Sequence, residues 1–258
     1  MTNNHNITRR RFLCLALAAV PCVSATKAIA VERERLKVNM VSLNEGSARC
    51  RYIHFSDLHF TGDSSLTRKV IDEFRILKPD FACFTGDLIE SEEHKRGAFA
   101  FISALGCPVY GIPGNHDYQC RVPFAEFARA FAATGGAWLE DRSILAAKGR
   151  VEIVGLAGMS ARTIGRSRAA HRILLTHYPL AVDTVGGNRF TVVLAGHSHG
   201  GQVRAPLFGP LYLPRGVGRY DLGRFETRAG TMYVSAGLGT SMLPLRINCQ
   251  PDITLFNA

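Results

Sequence analysis

Apolar residues run along this chain in two rhythms. Short continuous runs at 52–56 and 80–85 end on the polar turns Asp57 and Gly86, and each predicts a buried strand. Between them Leu66, Val70, Ile71, Phe74 and Leu77 recur at helical spacing, opened by Ser64 or Ser65 and stopped by Pro79. Phe99, Ile102 and Leu105 predict a second helix that ends at Gly106. Residues 109–112 predict a third strand, and Phe124, Phe127, Ala128 and Phe131 a third helix stopped by Gly135-Gly136. The second half is richer in strands, at 144–146, 151–156, 173–176, 192–195 and 232–235. A last strand at 253–256 returns to the core edge. Strands alternating with helices define an α/β chain.

The first 30 residues depart from this pattern. A polar start, Arg9-Arg10-Arg11, an apolar stretch at 12–25 and Ala28-Ile29-Ala30 have the order of an export leader. Pro21 interrupts the apolar stretch, which is shorter than the roughly 20 residues a membrane span needs. Thr8-Arg9-Arg10-Arg11-Phe12-Leu13 resembles a twin-arginine motif, so the export machinery of that pathway is an expected partner. Residues 1–30 are read as leader or N-terminal anchor and 31–258 as one domain. The location expected is periplasmic or membrane-associated, on the cytoplasmic face if the leader stays uncleaved.

The formal charge is +10 over 258 residues. Four of these charges lie in the leader, which leaves about +6 and a mild preference for anionic partners, membrane surfaces included. No basic block is interleaved with aromatics, so nucleic acid is not an expected partner. Five cysteines, Cys50, Cys83, Cys107, Cys120 and Cys249, follow the leader, with no C-x-x-C pair to suggest a zinc ribbon or redox motif.

The chemistry lies in the turns that follow the strands: Asp57-Leu58-His59, Gly86-Asp87, Gly114-Asn115-His116-Asp117, a lone His177 and Gly196-His197-Ser198-His199. Asp57 and Asp87 are 30 residues apart, and Asp87 and Asn115 are 28 apart. That is the length of a βαβ unit, so each turn returns to the same edge of a parallel sheet, where open α/β sheets bind ligands. Mixed carboxylate, imidazole and amide donors suit two divalent ions, with manganese, iron or zinc all compatible. His54, His94 and His171 stand outside the pattern: His54 reads as a structural strand residue, and the other two as solvated.

In this order the motifs resemble the calcineurin-like metallophosphoesterase superfamily, over essentially the whole of 31–258. The resemblance implies a four-layer αββα sandwich of two mixed sheets. It also implies a first metal held by Asp57, His59, Asp87 and His199, and a second by Asp87, Asn115, His177 and His197. His116 would protonate the leaving oxygen and Asp117 would orient its ring. The activity implied is phosphodiester hydrolysis, by in-line attack of a hydroxide held between the two metals, on a lipid- or nucleotide-linked phosphate ester.

Gly200-Gly201-Gln202-Val203, Gly237-Leu238-Gly239-Thr240-Ser241 and Pro244-Leu245-Arg246 are similar to a bacterial phosphodiesterase branch that bears twin-arginine leaders. That branch includes proteins similar to a UDP-2,3-diacylglucosamine pyrophosphatase of lipid A synthesis, an alternative that conflicts with export past the membrane. A nuclease or nucleotide phosphodiesterase is a second alternative. A non-catalytic binding scaffold is a third, opposed by the intact motifs. Arg246 is read either as a phosphate contact or as half of a surface ion pair. Arg162, Arg166, Arg168 and Arg172 read as a solvated basic loop or an anion-binding rim. Leu207, Phe208, Leu211, Tyr212 and Leu213 read either as a lipid-facing groove or, more simply, as core.

Overall fold

In this computed structural model, residues 32–43, 50–159, 164–165 and 169–258 are described. The leader and Arg162, Arg166 and Arg168 lie outside them.

Strands β2 (Arg51–Phe55), β3 (Phe81–Phe84), β4 (Val109–Gly111) and β5 (Ala137–Trp138) run parallel in one six-stranded sheet. β14 (Asp252–Asn257) enters that sheet antiparallel to β2, and β1 (Lys37–Ser42) closes the edge parallel to β14. The last strand is therefore interior, not marginal. Its residues are nearly all buried, whereas β1 alternates exposed and half-buried positions, as an edge strand does. β1 carries no strong apolar run, and the sequence pattern did not reveal it.

Helices α1 (Ser65–Leu77), α2 (Lys95–Ala104) and α4 (Phe124–Ala133) cover one face of this sheet. In α1, Leu66, Val70, Phe74 and Leu77 are buried along one stripe, and Ser64 caps the start by accepting from Thr67 N. Lys78 ends the helix with left-handed backbone, just before Pro79. Phe127 and Phe131 of α4 close on Trp138, with ring centroids 4.8 and 4.9 Å away.

The second sheet has the order β12 (Gly223–Thr227), β13 (Gly230–Val234), β9 (Val192–Ala195), β8 (His171–Thr176), β7 (Val151–Leu156), β6 (Ser143–Ala146). Its four central strands are parallel and each edge strand is antiparallel. The sheets pack face to face through Ile153, Ile173, Val192 and Leu194 from one and Tyr52, Phe81 and Phe256 from the other. Tyr52 stacks between Phe81 and Phe256 at 5.0 and 5.2 Å. The expected two mixed sheets are present. The outer face of the second sheet is covered by the 3₁₀ segment Pro179–Thr184 and by loops bearing Tyr220, Val182 and Val185.

Phe55, Phe84 and Gly111 are register partners at the carboxyl ends of β2, β3 and β4. The turns that follow start at one level, opposite those leaving β8, β9 and β13. This places every motif along one edge of the sandwich.

His54 lies in β2, buried, with Nε2 2.9 Å from Thr85 Oγ1. Burial lowers its pKa to about 3, so the folded ring stays neutral where an unfolded one would bind a proton. Stability associated with His54 is therefore intact above pH 6.5 and declines as pH falls towards 3. The loss reaches about 2 kcal/mol by pH 5. Denaturant unfolding of His54→Gln between pH 6.5 and 5 should show a correspondingly flatter decline than the wild type; parallel curves would count against this.

Candidate metal centre

The turn after β2 presents Asp57 and His59, that after β3 presents Asp87, and a short helix α3 (Asn115–Gln119) after β4 presents Asn115 and His116. His177 follows β8, and His197 and His199 follow β9. Asp57, His59, Asp87, His197 and His199 all adopt positive φ, between 44° and 66°. The backbone folds back so that these side chains converge, at a strain of roughly 1–2 kcal/mol each. Gly86 (φ 96°) combines left-handed backbone with a close approach. A Cβ there would lie 2.6 Å from Gly114 N and 2.8 Å from His177 Nδ1.

Two donor clusters result. In the first, His59 Nε2 lies 3.0 Å from His199 Nε2, and His199 Nε2 is 3.5 Å from Asp57 Oδ1. In the second, His177 Nε2 lies 3.1 Å from both His197 Nδ1 and Asn115 Oδ1. Asp87 Oδ2 joins them, 3.6 Å from His59 Nε2 and 3.3 Å from His177 Nε2. The sequence-based ligands Asp57, His59, Asp87, Asn115, His177, His197 and His199 are thus all brought together, in two groups that share one carboxylate.

The outer hydrogen bonds leave the inner atoms available to a cation. His177 Nδ1 donates to Thr85 O at 2.7 Å, and His197 Nε2 donates to Arg215 O at 2.8 Å. The opposite nitrogens of these rings therefore face the cluster. Asp57 accepts from His197 N at 3.0 and 3.1 Å, and Asp87 Oδ1 accepts from His116 N at 2.8 Å. Burial opposes charge on His177, but Asp87 and Asp57 outweigh it and raise its pKa to about 9. Burial and neighbouring imidazoles instead push His197 down to about 4, and burial and His59 push His199 well below the usual histidine range. Neutral His197 and His199, and His177 whose inner proton a divalent ion would displace, face anionic oxygens and form a cradle for cations, and the donor set fits two of them.

Asp117 does not orient His116. Its carboxylate accepts from Asp87 N at 2.8 Å, Leu88 N at 2.9 Å and Gly114 N at 2.9 Å, tying the β3 and β4 turns together. Neighbouring residues on a helix point apart, so adjacency in α3 separates the two side chains. Burial and Asp87 raise the pKa of Asp117 to about 7, against the pull of the backbone N–H groups.

The ring of His116 is held by Glu90, whose Oε2 lies 2.9 Å from His116 Nδ1. The other oxygen of Glu90 binds His59 Nδ1, so one carboxylate fixes both rings. Burial opposes the charge on Glu90, but the bonds from His116 and His59 bring its pKa down to about 2. The Glu90 hydrogen bond in turn raises His116. Sequence reasoning missed Glu90; its one signal is a carboxylate three residues beyond Asp87.

Other expectations are corrected. Arg246 is neither a phosphate contact nor a surface pair. It is fully buried, and its guanidinium donates to the carbonyls of Ala236, Gly237, Gly239 and Cys249. The loop it gathers binds Asp57 from behind, through Gly239 N to Asp57 O at 2.7 Å. His171 is half-buried, 3.2 Å from Tyr52 OH. Arg172 pairs with Glu152 at 2.6 Å and lies over the Phe190 ring, so it faces no anion rim. Leu207, Phe208, Leu211 and Tyr212 are exposed and do not pack into the core.

A cavity of about 380 Å³ opens over the centre. Asp87, Asn115, His116, His197 and His199 form its polar floor, and Val203, Leu211, Tyr212, Met242 and Leu243 an apolar wall. A larger cleft of about 700 Å³, beside Lys37, Asn39 and Arg224, contains none of the motif residues.

Residues 50–201 match the family described as Calcineurin-like phosphoesterase, and the chain belongs to it. Its site is accordingly that of a metal-dependent phosphoesterase. The protein named uncharacterized metallophosphoesterase YkuE, from Bacillus subtilis (strain 168), is 30% identical over 80% of this chain and 78% of its own length. Phosphodiesterase YaeI from Escherichia coli (strain K12) is 25% identical over 96% of this chain and 98% of its own. A dimetal phosphatase from Danio rerio is similar over 74% of this chain and 88% of its own, with 13% identity and a TM-score of 0.47.

Replacing Glu90 by Gln removes the charge that raises His116. With metal saturating, kcat should fall about 10- to 100-fold, and the alkaline limb of its pH profile should move to lower pH. An unmoved limb would show that Glu90 does not set the proton on His116. Asp117→Ala leaves three backbone N–H groups without their carboxylate and should cost about 3 kcal/mol in denaturant unfolding. A loss below about 1 kcal/mol would contradict the clamp.

Proposed function

We propose that this chain is an exported phosphodiesterase that uses two divalent ions, with manganese, iron and zinc all compatible with its donors. The observation that carries the reading is Asp87 Oδ2 placed between two imidazole clusters, with His116 beside them on the floor of the cavity. Asp57, His59, Asp87 and His199 would hold one ion, and Asp87, Asn115, His177 and His197 the other. When bound, such a pair lowers the pKa of a shared water and neutralises phosphate oxygens.

The chain's own groups supply the remainder. His116 Nδ1 is engaged by Glu90, which leaves Nε2 to face the substrate. That bond raises the pKa of the ring and favours its protonated form, from which a proton can pass to the leaving oxygen. Asn115 and His116 are held in α3 by the bond from His116 N to Asp87, so acid and ligands keep a fixed spacing.

A diester is favoured over a monoester by the lining of the cavity. It contains no Lys or Arg among the described residues to meet the second negative charge of a monoester, and its apolar wall suits a second ester group. A relative bearing the name phosphodiesterase, similar over almost the whole chain, supports the same choice. Export rests on the order of charge, apolar stretch and Ala28-Ile29-Ala30 in the leader. A mature N-terminus at Val31 is expected from sequencing of the exported protein.

The test compares bis(p-nitrophenyl) phosphate with p-nitrophenyl phosphate on metal-reconstituted protein. The diester should be preferred at least tenfold in kcat/KM, and preference for the monoester would refute the reading. His116→Gln should lose about 10²- to 10⁴-fold, with the larger losses for alkyl than for nitrophenyl leaving groups. Equal losses for both would deny His116 the role of acid.

A further inference from the structure

Large apolar side chains stand in solvent directly beside this site. Leu207 and Phe208 are 103% and 88% exposed at the tip of the hairpin formed by β10 (Arg204–Ala205) and β11 (Gly209–Pro210). Met242, on the facing turn, is 86% exposed. Gln202 joins the two loops: its Nε2 donates to Ser241 O at 2.9 Å and its Oε1 accepts from Ser241 N at 2.5 Å. The hairpin follows ligand His199 within a few residues, and the apolar cavity wall of Leu211, Tyr212 and Met242 runs from the metal floor towards it.

The backbone makes this exposure costly. Leu207 and Met242 have φ of 70° and 59°, left-handed values that glycine adopts freely and a large side chain does not. At both turns the chain nevertheless carries a bulky apolar residue directed outwards. The unpaired surface charge of the hairpin loop is basic. Residues 202–219 contain Arg204, Arg215 and Arg219 and no Asp or Glu. Arg204 is paired with Asp221, while Arg215 and Arg219 are exposed at the base of the hairpin. Protruding apolar tips with the exposed Arg215 and Arg219 beside them match an anionic bilayer, in which apolar groups enter the acyl boundary and arginines meet the headgroup phosphates. A protein partner is expected instead to meet a polar rim around a packed apolar centre.

We propose that Leu207, Phe208 and Met242 dock the enzyme on an anionic lipid bilayer, and that the Leu211–Tyr212 wall receives the aliphatic part of a lipid-borne phosphodiester whose phosphate reaches the metals. The proposal rests on the phosphodiesterase reading for its substrate, whereas docking is independent of it. Hydrolysis forms one P–O bond to the oxygen of water and breaks one P–O bond to the leaving alcohol. The leaving oxygen takes a proton from His116, which regains the proton released by the water; the products are a phosphomonoester and an alcohol.

Two measurements on the full chain decide. First, Phe208→Trp and, as control, Ile76→Trp on the exposed face of α1 are mixed with phosphatidylglycerol vesicles containing brominated acyl chains. The added fluorescence of Phe208→Trp should be quenched at least fivefold more than that of Ile76→Trp; equal quenching overturns docking. Concentration-dependent self-association that shields Phe208→Trp without lipid would also overturn it, and would assign the face to a second copy of the chain. Second, p-nitrophenyl hexadecyl phosphate in vesicles is compared with soluble p-nitrophenyl methyl phosphate. The wild type should prefer the long-chain ester at least tenfold in kcat/KM. Leu207→Ser/Phe208→Ser should lose at least fivefold of that preference, with methyl ester turnover within twofold of wild type. No chain-length preference, or an equal loss on both esters, overturns the lipid substrate. Inactivity on both esters overturns the phosphodiesterase reading, and with it the substrate, while the quenching still reports docking.

Discussion

Three carboxylates, Asp57, Asp87 and Asp117, are buried together at one edge of the sandwich. Burial raises the pKa of Asp57 and of Asp117, and the charge of Asp87 adds to both. Backbone N–H groups answer Asp117 in full and one side of Asp87. The remaining oxygens of Asp57 and Asp87 face imidazole nitrogens and a common interior. Divalent charge is the natural complement, because a buried carboxylate left unpaired would take up a proton instead.

The rest of the fold serves to hold this arrangement in place. Parallel strands in aligned register bring the turns to one level, and the positive-φ ligands store strain that no single turn could sustain. Packing between the two sheets and under three helices offsets it. Arg246 contributes from behind: paired with no carboxylate among the described residues, it collects four carbonyls and fixes the loop that supports Asp57. Glu90 does the same from the side, coupling His59 to His116 so that the two rings share one geometric reference.

The residues of the two donor clusters were legible because their chemistry constrains residue type and their strands constrain spacing. Asp57, Asp87 and Asn115, about one βαβ unit apart, are gathered onto one edge by their spacing alone. Helix α1 was legible through its apolar stripe and its serine cap. What sequence left out depended on three-dimensional placement. Glu90 belongs to no periodic pattern, and the nearness of Asp117 to His116 in the chain suggested a contact that helical geometry forbids. Leu207 and Phe208 read as core because a hairpin of two-residue strands leaves no alternation to detect. Arg246 read as a surface residue because a cage of carbonyls has no signature in side-chain identity.

The central claim is that Asp87 is shared between two metals, and metal stoichiometry in purified protein tests it most directly. The account predicts two divalent ions per wild-type chain by elemental analysis, and one or none in a folded Asp87→Asn variant. One ion or none in the wild type after loading, or two retained in Asp87→Asn, would contradict it.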